Sequence, residues 1–119
     1  MAIRSNLLGW QWSIYPAAHR DRANLIIHIA TAPLFWLGWA SLVWFALDGG
    51  WIVLVAGLVL ILVPILAQNV GHKREKQAPS PFLGFDDFVT RFFVEQTVTF
   101  PRFVLSGTWA RHLTTGANS

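Results

Sequence analysis

Two sets of polar residues repeat one spacing inside an otherwise apolar chain. Asn24, His28 and Thr31 are separated by four and three positions, and Gln68, His72 and Glu75 by four and three again. Residues so related share one face of an α-helix. Imidazoles bind metals and move protons near neutral pH, and carboxylates and amides supply further ligands, a base or orienting hydrogen bonds. For either histidine alone, a helix-packing hydrogen bond is the plainer role. For both at one depth, each within a turn of Asn24, Gln68 or Glu75, metal binding or catalysis is favoured, because polar groups at the edge of a membrane span are costly.

The elements that position these residues follow from the charges. Residues 23–47 and 49–72 carry no formal charge. At about 1.5 Å per residue, either run covers the roughly 30 Å of a bilayer core. Asp48, Gly49 and Gly50 form a tight breaker between them, so the expected fold is an all-α membrane protein built on a two-span helical hairpin, with spans at about 24–47 and 51–72. Folding the chain at that turn opposes Asn24 to Glu75, His28 to His72 and Thr31 to Gln68. His19 lies nine residues before His28, on the opposite side of a continuous helix, and joins the site only if the chain bends at 20–23. Three imidazoles and the Glu75 carboxylate would then share one centre. Such N and O ligands suit Fe(II), Zn(II) or Mn(II), and open positions on iron permit O2 chemistry. His112 is not favoured as a ligand. Pro33 and Pro64, at similar depths, are read as kinks that widen the mouth of the site or as packing wedges.

Composition agrees with a lipid environment. Of 119 residues, 54% are hydrophobic and 13% charged, too apolar for a soluble fold this small. The absence of cysteine excludes disulfides, thiolate zinc sites and a cysteine nucleophile. A pI near 10.2 rests on scattered groups rather than a basic patch, so no nucleic-acid partner is expected. Arg4, Arg20 and Arg22 precede the first span, Lys73, Arg74 and Lys76 follow the second, and the connecting turn has no basic residue. By the positive-inside rule both termini are cytoplasmic, in a bacterial-type inner membrane. Trp44 and Trp51 mark the outer interface, and Trp10, Trp12 and Tyr15 the inner one. Residues 6–15 read as an interfacial segment rather than a cleaved signal peptide.

Residues 82–113 read as a C-terminal amphipathic segment in the same single domain, lying on the membrane surface or packed over the hairpin. Phe85, Phe88, Val89, Phe92 and Phe93 recur at helical spacing opposite Asp87, Arg91 and Glu95, and Pro101 is expected to break the helix.

At its histidines the chain resembles the membrane-bound, non-haem iron 2-hydroxy fatty acid dioxygenases. The family's first motif, His-Arg-Asn-Pro-x-Asn-x-x-x-His with a later Pro, is similar to His19-Arg20-Asp21-Arg22-Ala23-Asn24 through His28, with Pro33 following. Its second, Gln-x-x-Gly-His with a later Glu and Pro, is similar to Gln68-Asn69-Val70-Gly71-His72 with Glu75 and Pro79. The likeness covers about residues 15–81. Asp21 and Arg22 depart from it, as does the spacing of Glu75, which falls one residue closer to His72. The resemblance implies Fe(II) held by His19, His28 and His72, Glu75 as ligand or base with Gln68 and Asn24 beside it, and α-oxidation that shortens a 2-hydroxy fatty acid by one carbon. Arg20 or Arg22 would pair with the substrate carboxylate. Two other functions fit the same hairpin: a bis-histidine haem or pigment clamp, and a small accessory subunit docking through residues 82–109 as a homodimer or in a larger complex.

Overall fold

A computed structural model describes residues 4–115, and these are helical with no strand among them. Helix α1 spans Leu7–Ile14 and runs through a 3-10 turn, Pro16–Ala18, into the long helices α2, Arg22–Asp48, and α3, Trp51–His72. Both long helices have the length and apolarity to cross a membrane, and together they form the hairpin. The turn between them needs left-handed backbone at two successive positions, φ 79° at Gly49 and 97° at Gly50, which side chains disfavour. Further along, Gly38 and Gly57 let the helices approach closely, as small residues do where lipid-facing helices pack.

Most large apolar side chains of α2 and α3 point outward, including Leu37, Trp44, Leu47, Trp51 and Leu62. The interior is mixed: the polar Asn24, His28, Thr31 and Gln68 are buried alongside Leu25, Ala32, Phe35 and Phe103. Lipid would favour this distribution, since outward leucines cost nothing there while polar groups gain by meeting one another.

The C-terminal segment is mixed in the same way. Helix α4, Phe85–Val94, runs through a π-helical turn, Glu95–Thr99, into α5, Phe100–Leu105, and α6 spans Thr108–Thr115. Only part of the apolar stripe points away from the molecule: Phe85 is 80% exposed and Val89 is exposed, whereas Phe88 and Phe92 are half-buried. Asp87, Arg91, Gln96 and Thr99 are buried against the hairpin and α1. Aromatic contacts of Phe92 and Phe93 with Phe35, and of Phe93 with Trp39, fix this layer along α2.

Pro101 does not break the helix. A proline ring collides with the carbonyl four residues earlier and offers that carbonyl no N–H. The wider π turn absorbs the problem: the Phe100 N–H reaches the Glu95 carbonyl, five residues back, and the helix continues through α5. Pro33 and Pro64 likewise sit inside continuous helices. Pro33 lines a separate apolar groove beside Pro101, so it does not widen the mouth of the histidine site.

Candidate metal centre

The first structural task is to bring His19 back over the hairpin. The 3-10 turn after Tyr15 and the extended backbone of Asp21, which caps α2 by accepting from the Asn24 N–H at 3.1 Å, make the bend. Glu75, just beyond α3, fastens it from the other side. Its carboxylate accepts from the backbone N–H groups of Arg20 and Asp21 at 2.9 to 3.1 Å and from the Asn24 amide at 2.7 Å. Arg74 completes the fastening through Asp21 at 2.9 Å. The opposed pairs meet: Asn24 with Glu75, His28 with His72 at 5.0 Å between ring centroids, and Gln68 with Thr31 at 2.9 Å.

The bend makes His19 the third side of a triangle. Its ring lies 4.8 Å from those of both His28 and His72, nearly perpendicular to each. The His19 Nδ1 donates to the Tyr15 carbonyl at 2.8 Å, and the His28 Nδ1 to the Asn24 carbonyl at 3.0 Å. A carbonyl only accepts, so each Nδ1 carries a proton and each Nε2 is the ring nitrogen left to face Glu95 or an ion. Such backbone-oriented imidazoles are characteristic of metal ligands.

The fourth member is Glu95, at the start of the π turn. Its Oε2 lies 3.4 Å from His19 Nε2 and 3.3 Å from His28 Nε2, and one ligand atom from each of His19, His28, His72 and Glu95 falls within 4.8 Å of the others. Ligand atoms around an ion with bonds of about 2.1 Å stand roughly 3 to 4 Å apart, close to this spacing. The Nε2 atoms of His19 and His28 and the Nδ1 of His72 are buried without hydrogen-bond partners. Three ring nitrogens and a carboxylate oxygen therefore converge where a cation would satisfy all of them. The donor set fits a divalent ion of the iron, zinc or manganese type.

The surroundings prepare these groups. Burial tends to raise the Glu95 carboxyl, but the facing His19 and His28 outweigh it and hold it well below the usual carboxylate range. Burial pushes His19 down, keeping the imidazole neutral and able to ligate. The Tyr15 phenol is driven up by burial and by Glu95, so it remains a donor to that carboxylate.

Several expected roles move. The carboxylate beside the imidazoles is Glu95 rather than Glu75, whose oxygens are engaged by the 20–24 backbone and Asn24. Gln68 lies next to the site, but its two N–H groups go to Thr31 and Gln96, and the Gln96 amide returns a bond to Gln68 at 2.8 Å. Asn24 joins Glu75 to the His28 support. Arg20 and Arg22 are exposed at the bend, with Arg22 bonded to the Leu113 carbonyl, and neither lines the cavity described below. His112 stays outside the cluster and donates to the His19 carbonyl at 2.6 Å. A cue to Glu95 did exist: a polar Glu-Gln-Thr run inside an aromatic helix, on the face of Asp87 and Arg91.

A cavity of about 570 Å³ opens from His19, His72 and Glu95, walled by Ile65, Leu66, Phe88 and Phe92. Comparison with protein-family models, curated proteins and solved structures found no match for this chain.

Proposed function

We propose that the protein is a membrane-embedded Fe(II)-dependent oxygenase that shortens 2-hydroxy long-chain fatty acids by one carbon. The observation that carries this reading is the convergence of His19, His28, His72 and Glu95 at the end of an apolar cavity. The likeness of the two histidine motifs to the 2-hydroxy fatty acid dioxygenases supplies the reaction. In that reaction the bond between C1 and C2 breaks, C1 leaves as carbon dioxide and C2 becomes the new carboxyl. O2 takes four electrons and yields the new carboxyl oxygen and water.

Ferrous iron, held by the three imidazoles and Glu95, would supply O2 binding and electron transfer. The chain's own residues do the rest. Tyr15 and Asn24 carbonyls keep His19 and His28 in the ligating tautomer. Ile65, Leu66, Phe88 and Phe92 receive the acyl chain and keep water from the reacting carbons. The basic residues at the open end of the hairpin favour a cytoplasmic placement of the site.

A bare ion suits the cluster better than haem. Imidazoles 4.8 to 5.0 Å apart on three sides of one centre leave no slot for a macrocycle between two of them. Metal analysis of protein purified in mild detergent, followed by oxygen uptake with 2-hydroxypalmitate, tests the proposal. Stoichiometric iron and substrate-dependent uptake are expected. Neither bound metal nor uptake after Fe(II) reconstitution would overturn it.

A further inference from the structure

The cavity has one wall that the metal centre does not use. Arg91 faces it from α4, one turn before Glu95, and is the only arginine among the residues lining it. The guanidinium is held firmly. Nη1 donates to the Pro81 carbonyl at 3.2 Å and to Asp87 at 3.4 Å, and Nη2 donates to the Ser80 carbonyl at 3.0 Å. The Phe82 ring lies 4.1 Å from its central carbon and the Trp10 ring 4.9 Å.

A guanidinium has five N–H donors, and these bonds engage three. The Nε–H and one Nη2–H have no acceptor among the described residues. Asp87, fully buried, is shared between Arg91 and Arg4, the latter at 3.7 Å, so Arg91 does not have a carboxylate to itself. A guanidinium with free N–H groups pairs readily with a further oxyanion. Most of the cavity surface is apolar, with Gln11, Gln68, Asn69 and Gln77 among its polar members, and its volume is typical of sites that enclose a small organic molecule.

We infer that Arg91 is the anion-binding residue of this cavity, and that the ligand is a single-chain amphiphile with an oxyanion head, a carboxylate or a phosphate. The inference rests on the reading above in taking the cavity as the substrate site. It assigns the head group to Arg91, where the family resemblance offered Arg20 or Arg22. The oxyanion meets the open N–H edge, the chain lies along Phe88, Phe92, Ile65 and Leu66, and the carbon next to the head is carried toward Glu95.

The test is equilibrium binding of hexadecanoic acid, hexadecyl phosphate and hexadecanol to the purified full-length protein in nanodiscs, with metal bound and after chelation. At least one anion is expected to bind about tenfold or more tightly than the alcohol, in both metal states. Arg91→Lys should retain part of that preference and Arg91→Gln should lose it. Tighter binding of the acid identifies a fatty acid as the source, and tighter binding of the phosphate a lipid phosphate. Equal affinity of wild-type protein for acid and alcohol would overturn the inference without any variant. An anion preference that vanishes on chelation would also overturn it, by assigning the head group to the metal. An Arg91-dependent preference in protein that never binds iron would sustain it while the oxygenase reading fails.

Discussion

The Tyr15 hydroxyl donates to Glu95 at 2.8 Å, from a ring that stacks on His19 with 3.7 Å between centroids. One side chain thus restrains two of the four prospective ligands, and its own carbonyl orients His19 as well. Tyr15→Phe removes the hydroxyl and leaves the stack. Because outer hydrogen bonds fix ligand orientation, metal affinity should fall about 10- to 100-fold with helical content unchanged. Competition against a chelator of known affinity measures this. Unchanged affinity would mean that Glu95 needs no such restraint.

The two carboxylates near the histidines should separate cleanly. Glu95→Gln deletes a charged ligand, and stoichiometric metal should be lost, as in His28→Ala and His72→Ala. Glu75→Gln should retain one metal per chain and lower the thermal midpoint, because it weakens the bonds that hold 20–24 against the end of α3. Elemental analysis with thermal melts in one detergent distinguishes the two. Metal loss in Glu75→Gln with full retention in Glu95→Gln would reverse the roles.

The contrast between these carboxylates shows what the sequence could reveal. Opposing Asn24 to Glu75, His28 to His72 and Thr31 to Gln68 needs only helix periodicity and the Gly49-Gly50 turn, because a hairpin converts distance from its turn into depth. Glu95 reaches the site from a separate layer, through a π turn whose register no periodicity announces. Its helix also invites the wrong orientation. A stripe of Phe85, Val89 and Phe93 reads as a buried face when water is the solvent, whereas here Asp87 and Arg91 are buried while Phe85 and Val89 look outward. That orientation carries Arg91 to the cavity wall, whereas Arg20 and Arg22 stay exposed at the bend.

Gln68 and Gln96 exchange amide hydrogen bonds at 2.8 and 2.9 Å, and this pair ties the π turn to α3. Both side chains are almost fully buried, so removing one strands the other's donor and acceptor. Gln68→Leu and Gln96→Leu should each destabilise the protein by about 1 to 3 kcal/mol. The double variant should cost less than their sum, with a coupling of about 0.6 to 2 kcal/mol. Unfolding in mixed micelles by denaturing detergent gives these values. Strict additivity would show that the pair does not join the two elements.

Gly71 offers a test of how closely the helices must approach at the site. A Cβ built there would fall within the side chain of Asn24, so Gly71→Ala must push Asn24 away from Glu75 and disturb the turn of α2 that carries the His28 support. Overpacking of this kind costs about 1 to 3 kcal/mol. The displaced Asn24 should also lower metal affinity, since its carbonyl orients His28. Asn24→Ala removes the obstructing amide and loses the bond to Glu75, which is destabilising in its own right. Once that amide is gone, the tightest remaining contact of a methyl group at position 71 is the residue 24 Cα at 3.3 Å, which a shift of a few tenths of an ångström relieves. Gly71→Ala should therefore cost much less in the Asn24→Ala background than in the wild type, and thermal midpoints of the four proteins reveal the difference. Equal penalties in the two backgrounds would place the clash on the backbone of α2, and the helix separation rather than the Asn24 side chain would then limit what position 71 can hold.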